Sequence, residues 1–309
     1  MTAVEPVMQI RLRPGMSVGE LVEEMGRAGA YNGGALSRAA GIYEDMLRDD
    51  RTTRFFGLAG AMVPAGMGGI VADLIERGMI DVLVTTGANA VHDIVEGIGC
   101  THLHGNIAST DNELRGMGLN RIYDVFLPDD AFLRLEEFLR DMLGDLPDRQ
   151  VSISFLLRRI GEELAGGILA TAARHSIPVY CPAIQDSILG LQIYLHSQSR
   201  PFILDACADM KELLDLCYAA ERAGALLVGG GVPKNYILQS MLITPKGFDY
   251  AIQLTGDRPD LGGLSGATLD EARSWGKLSS DAKAVTVYGD ATITLPLLVA
   301  AVLERLTHG

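Results

Sequence analysis

Asp81-Val-Leu-Val-Thr-Thr86 runs directly into Gly87-Ala-Asn89. An apolar, β-branched run without polar alternation describes a strand covered on both faces, the habit of parallel sheets laid between helices. The polar end is a strand-to-helix turn, with a helix expected from about Val91. Outward from this stretch the same texture repeats. Phe55–Ala59 reads as a strand, Gly60–Gly66 as a loop, and Ile70–Arg77 as a helix stopped by Gly78. Downstream come helices over Ala131–Leu143, Phe155–Ala173, Met210–Ala223 and Leu295–Leu306. Strands fall at Ile177–Cys181, Phe202–Asp205, Leu226–Val228, Tyr250–Thr255 and Ala284–Tyr288. Strands alternating with helices predict an α/β fold, a doubly wound, mostly parallel sheet with helices on both faces, in a single large domain. Before it, residues 1–50 read as a helical lead-in. Ser17 with Glu20 makes a capping box, and Leu36–Leu47 forms a second helix.

Composition excludes several classes. The chain has 309 residues, 48% hydrophobic, which suits a well-filled α/β core. A net charge of −13 with no basic run repels nucleic acid and attracts cations. Cys100, Cys181, Cys207 and Cys217 show neither metal-ligand spacing nor the density of a disulfide framework, and read as reduced thiols of a cytoplasmic protein. No signal peptide and no apolar run of membrane-spanning length is visible, so no membrane partner is expected.

In parallel α/β sheets ligands bind beyond the carboxyl ends of the strands. Thr85, Thr86 and Gly87 offer hydroxyls and backbone N–H groups at one such end. Leu226-Leu-Val-Gly-Gly-Gly231 ends in three glycines before a helix opening near Asn235. That run suits either a phosphate at a helix N-terminus or a tight strand-to-helix turn. It does not match G-x-G-x-x-G. Asp290, closing Val285-Thr-Val-Tyr-Gly-Asp290, suits a ribose hydroxyl or a helix cap. Lys277 follows the chain's only tryptophan, Trp275, by two residues. A lysine attacks only as the free amine, which a dry, apolar pocket favours. An indole face also suits an aliphatic ammonium, and Glu271 stands upstream to bind one. His102 and His104 alternate as on a strand, and a hydrogen-bonded structural role is preferred to a metal site.

Taken together, Asp81–Thr86, Val228-Gly-Gly-Gly-Val-Pro-Lys234, Glu271-Ala-Arg-Ser-Trp-Gly-Lys277 and Val287-Tyr-Gly-Asp-Ala291 resemble the deoxyhypusine synthase family, over about Phe55 to Leu303. The resemblance implies a Rossmann-like NAD-binding domain over 51–309, a homotetramer, and NAD as cofactor with no metal. It implies transfer of the 4-aminobutyl group of spermidine, through an imine on Lys277, to a lysine of translation initiation factor 5A. Trp275 and Glu271 would complete the catalytic set. Thr85, Thr86, Gly87, Asp186, Gly229, Gly230, Gly231, Ser265 and Asp290 align with cofactor contacts.

The departures concern the polyamine. Leu191, Leu264 and Asn235 stand where eukaryotic members have two aspartates and a histidine, and leucines cannot anchor a cation. Asp93, Glu96 and Glu271 are the candidate replacements. His92 is a candidate acid/base or cofactor contact, replacing one of paired glutamates. Two further readings follow: homospermidine-type transfer to putrescine or another small amine, and a non-catalytic NAD- or polyamine-binding member. Retention of Lys277, Trp275 and Glu271 argues against the last.

Overall fold

The computed structural model describes residues 6–146 and 150–308. The first five residues of the predicted lead-in and Gly309 lie outside the described residues. In chain order the helices and strands begin with α1 (Val18–Ala28), α2 (Tyr31–Arg48), β1 (Thr52–Leu58), α3 (Gly68–Glu76), β2 (Val82–Thr85) and α4 (Gly87–Gly97). Next come β3 (Leu103–His104), α5 (Asp111–Gly116), β4 (Leu119–Ile122), β5 (Val125–Pro128), α6 (Asp129–Gly144), β6 (Gln150–Ser152), α7 (Ile153–Glu163) and α8 (Ile168–Arg174). The chain continues with β7 (Val179–Tyr180), α9 (Ile188–Ser197), β8 (Ile203–Asp205), α10 (Ala206–Ala219), β9 (Arg222–Val228) and α11 (Gly231–Ser240). It closes with β10 (Phe248–Thr255), α12 (Leu269–Ser274), β11 (Leu278–Tyr288) and α13 (Ala291–His308). The expected α/β, Rossmann-like architecture is the one observed.

The residues cluster into two compact units, Met1–Gly57 with Leu214–Gly309, and Leu58–Leu213. In the first, the strands run in the order β11-β10-β9-β1. β10 is central and parallel to both β9 and β11, with Ile252 paired to Leu226 on one side and Val285 on the other. All three side chains are buried, which explains why these strands read as unbroken apolar runs. α1, α2 and α13 pack together in this unit. Ser17 and Glu20 form the expected capping box. The Glu304 carboxylate of α13 accepts from Ser17 Oγ at 2.6 Å and from the Gly19 N–H at 3.0 Å.

In the second unit β2 and β7 are parallel neighbours, Leu83 opposite Val179. A small antiparallel sheet of β3-β5-β4 and a parallel pair β6-β8 accompany them. Three expectations need correction. The helix read over Phe155–Ala173 is two, α7 and α8, broken where Gly167 turns to φ 99°. The strand at Phe202–Asp205 pairs with β6 and not with the large parallel set. The helix after β2 opens at Gly87, because Thr86 caps it by accepting from the Asn89 N–H.

The close pass of α7 over α8 needs Gly161, where a β-carbon would lie 2.3 Å from the Leu169 carbonyl oxygen. Gly161→Ala is expected to lower unfolding free energy by about 1–3 kcal/mol in urea titration. Gly69→Ala in α3, where nothing lies within 4 Å, should leave stability unchanged or raise it.

Candidate active site

In the first unit the site grows from the end of β9. Gly229 and Gly231 take positive φ (77° and 57°), and Gly230 caps α11. A β-carbon on Gly230 would lie 2.5 Å from the Ser265 Cα, so the backbones meet there only because no side chain intervenes. Two buried side chains hold the Ser265 carbonyl. Gln253 Nε2 donates to it at 3.0 Å and to the Gly229 carbonyl at 3.1 Å. Lys234 Nζ donates to it at 3.1 Å and to the Ala267 carbonyl at 2.7 Å. Lys234 is only 3% exposed. Burial first, with a small contribution from Lys277, brings its amine down to about 8, against the pull of Glu271 and Asp257.

This pinned turn delivers the chain to α12. Thr268 caps the helix by accepting from the Glu271 N–H at 3.0 Å, which sets Glu271 in the first turn. Trp275 ends the helix, Gly276 turns at φ 75°, and the Lys277 N–H returns to the Ala272 carbonyl at 3.0 Å. Phe248 N–H then bonds the Lys277 carbonyl, so the lysine sits where β11 joins β10. Its Nζ donates to Asn235 Oδ1 at 3.3 Å. Lys234, Asn235, Leu264, Glu271, Trp275 and Lys277 thus line one cavity of about 50 Å³. Five of these six the sequence singled out; Lys234 it did not.

Trp275, whose indole suits an apolar wall beside Lys277, is 64% exposed at the C-terminal end of the short α12. Asp290 caps α13, its Oδ1 accepting from Thr292 N and Oγ1 at 2.8 Å each.

In the second unit Thr85 Oγ1 donates to the Leu58 carbonyl at 3.2 Å. The buried Asn89 holds the loop after β1, accepting from the Val63 N–H at 3.3 Å. A β-carbon on Gly87 would lie 2.5 Å from the Ser187 side chain, so the turn carrying Asp186 packs on the start of α4. Thr85, Thr86, Gly87 and Asp186 are therefore neighbours at the ends of β2 and β7. Leu191 is exposed on α9.

Asp93 was expected as a candidate cation anchor. Its carboxylate instead caps α8, accepting from the Ile168 and Leu169 N–H groups at 2.7 and 2.8 Å. Burial raises it to about 6, against those two bonds. His92 and His102 join ring to ring, Nδ1 to Nε2, at 2.9 Å, and His102 Nδ1 lies 2.7 Å from Glu96 Oε1. Burial lowers His92 to about 4, with the charge of His102 adding to the effect. Among the described residues no group of three or more ligating side chains could hold a metal, and no helix is long and apolar enough to cross a membrane.

The deoxyhypusine synthase family model matches residues 20–302. The chain belongs to the deoxyhypusine synthase family. A Methanosarcina acetivorans protein named "Probable deoxyhypusine synthase 1" is 58% identical, over 98% of this chain and 96% of its own. An Archaeoglobus fulgidus protein of the same name is 46% identical, over 95% and 96%. A crystal structure from Entamoeba histolytica, described provisionally as a deoxyhypusine synthase, superposes with TM-score 0.63 at 20% identity over 94% of both chains, which speaks to the fold. AgrE in complex with ornithine and NAD+ shares the fold at TM-score 0.53 and 16% identity, over 88% of this chain and 34% of its own.

Two predictions follow from the buried ionisable groups of this family member. Lys234→Met strands the Ala267 carbonyl without its donor, so unfolding free energy in urea should fall by about 1–3 kcal/mol. For Asp93, the folded pKa of about 6 exceeds the ordinary 3.8, so its contribution is present at low pH and lost as pH rises through 6. His92, with a folded pKa below its ordinary one, slopes the opposite way, so the comparison is made against Asp93→Asn. Between pH 4 and 6 the stability difference, wild type minus variant, should shrink by about 2–3 kcal/mol in urea titrations.

Proposed function

We propose that the chain is an NAD-dependent aminobutyltransferase. It moves the 4-aminobutyl group of spermidine, through an imine on Lys277, to a lysine of translation initiation factor 5A. The observation that carries the reading is the single cavity shared by Lys277, Asn235, Glu271 and Trp275. Relatives named as deoxyhypusine synthases at up to 58% identity support it.

The geometry supports the following roles. Asn235 Oδ1 accepts one N–H of Lys277, which orients the amine in the cavity it would use as nucleophile. Glu271 offers a carboxylate to a substrate ammonium, and the exposed Trp275 face receives an aliphatic cation. The glycines at the α11 N-terminus suit an anionic phosphate of the dinucleotide. The close approach of Gly230 to Ser265 keeps backbone N–H groups free of side chains there. Bound there, NAD would supply the hydride acceptor and donor of the reaction. The exposed apolar residues of α9, Leu191, Tyr194 and Leu195, support assembly of copies into a homotetramer.

A second reading, transfer to putrescine or another small amine, draws on Leu264 in the cavity and on Asn235, which place apolar and neutral groups where a long polyamine would want carboxylates. An acceptor test separates the two. With NAD and labelled spermidine, label should pass to the factor; label in homospermidine instead would select the second reading. Borohydride should trap an adduct on Lys277. Lys277→Ala should abolish transfer while leaving NAD binding and part of donor cleavage. Equal loss of all three would make the lysine structural.

A further inference from the structure

The second unit contains a cavity of about 280 Å³ lined from α7, α8, β7 and α10. Every residue lining it belongs to that unit, and none of them lines the Lys277 cavity. Leu157, Leu169, Ala172 and Val179 give it apolar walls. Ser152, Ser154 and Glu212 also face it and are joined to one another, Ser152 Oγ to Ser154 Oγ at 2.9 Å and Ser154 Oγ to Glu212 Oε2 at 3.2 Å.

This polar side is short of donors. Asp209, one turn before Glu212 on α10, accepts the Ser154 N–H on Oδ1 at 3.0 Å. It is 2% exposed, and its Oδ2 has no hydrogen-bond partner. The hydroxyls acting on this carboxylate are those of Ser154 and Ser152, both in the cavity wall. Two serine hydroxyls and one backbone N–H are thus all the donors that Asp209 and Glu212 have. Among the described residues neither carboxylate has an ion-pair partner. Arg158, also in the wall, is bonded to Glu162 of its own helix, Nε to Oε1 at 3.2 Å.

A buried carboxylate without a counter-charge is costly. Burial raises the carboxyl of Asp209 against the Ser154 bond, and the charge of Glu212 raises it further. A metal ion would want more ligands, and among the described residues no group of three or more could supply them. An ammonium brings three N–H donors and one positive charge, which are the two things lacking. A carbon chain on it would lie against the apolar walls.

We propose that this cavity binds a primary alkylammonium, its head on Glu212 and the Ser152–Ser154 pair with Asp209 beneath, its chain along Leu157, Leu169 and Val179. The site is independent of the aminobutyltransferase reading, since it uses none of the same residues.

The test titrates the full chain with n-butylammonium and follows assigned methyl groups by NMR. The methyls of Leu157, Leu169, Ala172 and Val179 should shift together and saturate. Glu212→Gln, a change at an exposed position, should weaken that binding about tenfold. Asp209→Asn, which keeps an acceptor for the Ser154 N–H, should weaken it severalfold. Tetramethylammonium has the charge without N–H groups, and butyrate has the chain with the opposite charge; both should bind at least about tenfold more weakly. Unmoved methyls, an unchanged affinity in either variant, or equal binding of either control overturns the site. Shifts confined to the Trp275 indole would put the amine in the Lys277 cavity, which overturns this site and leaves the aminobutyltransferase reading standing.

Discussion

One carbonyl oxygen, that of Ser265, organises the candidate site. It receives a buried amide from β10 and a buried ammonium from α11. Buried donors of this kind must find acceptors, and here both find the same one. The turn at 264–266 is thereby fixed over Gly230, and the chain beyond it inherits that placement. Glu271, Trp275 and Lys277 are all within one short helix and one glycine turn of this anchor. Loosening it would displace Lys277 and Glu271 together, without any change in either residue.

The second unit shows a different economy. Asp93 spends its charge on the N-terminus of α8, where two backbone N–H groups point at it. Its neighbour His92 faces a histidine and not a backbone. Two adjacent residues of α4 therefore serve opposite ends, one holding a helix and one meeting a second imidazole. Their titrations oppose each other, so the net pH response of this unit conceals both.

Much of this was legible in the sequence. Unbroken apolar runs such as Val82–Val84 and Leu226–Val228 marked strands covered on both faces, and Ser17 with Glu20 marked a helix start. Lys277, Trp275, Glu271, Asn235 and Leu264 stand out in the sequence, and they meet in one cavity. What escaped were relations between distant positions. Lys234 is unremarkable in a string of letters, since its burial depends on carbonyls more than thirty positions away. Asp93 looked like a substrate carboxylate because nothing local reveals a helix N-terminus 75 residues downstream. The break between α7 and α8 was written in Ala165-Gly166-Gly167, yet apolar periodicity on either side masked it.

Trp275 is the chain's only tryptophan and is open to solvent at the rim of the lysine cavity. Indole emission from this protein therefore originates at a single place. Any molecule or neighbouring subunit that covers the ring changes the polarity around it, so the colour of that light reads out occupancy directly. The fold has supplied its own optical probe, at the spot where an attached label would be most disruptive.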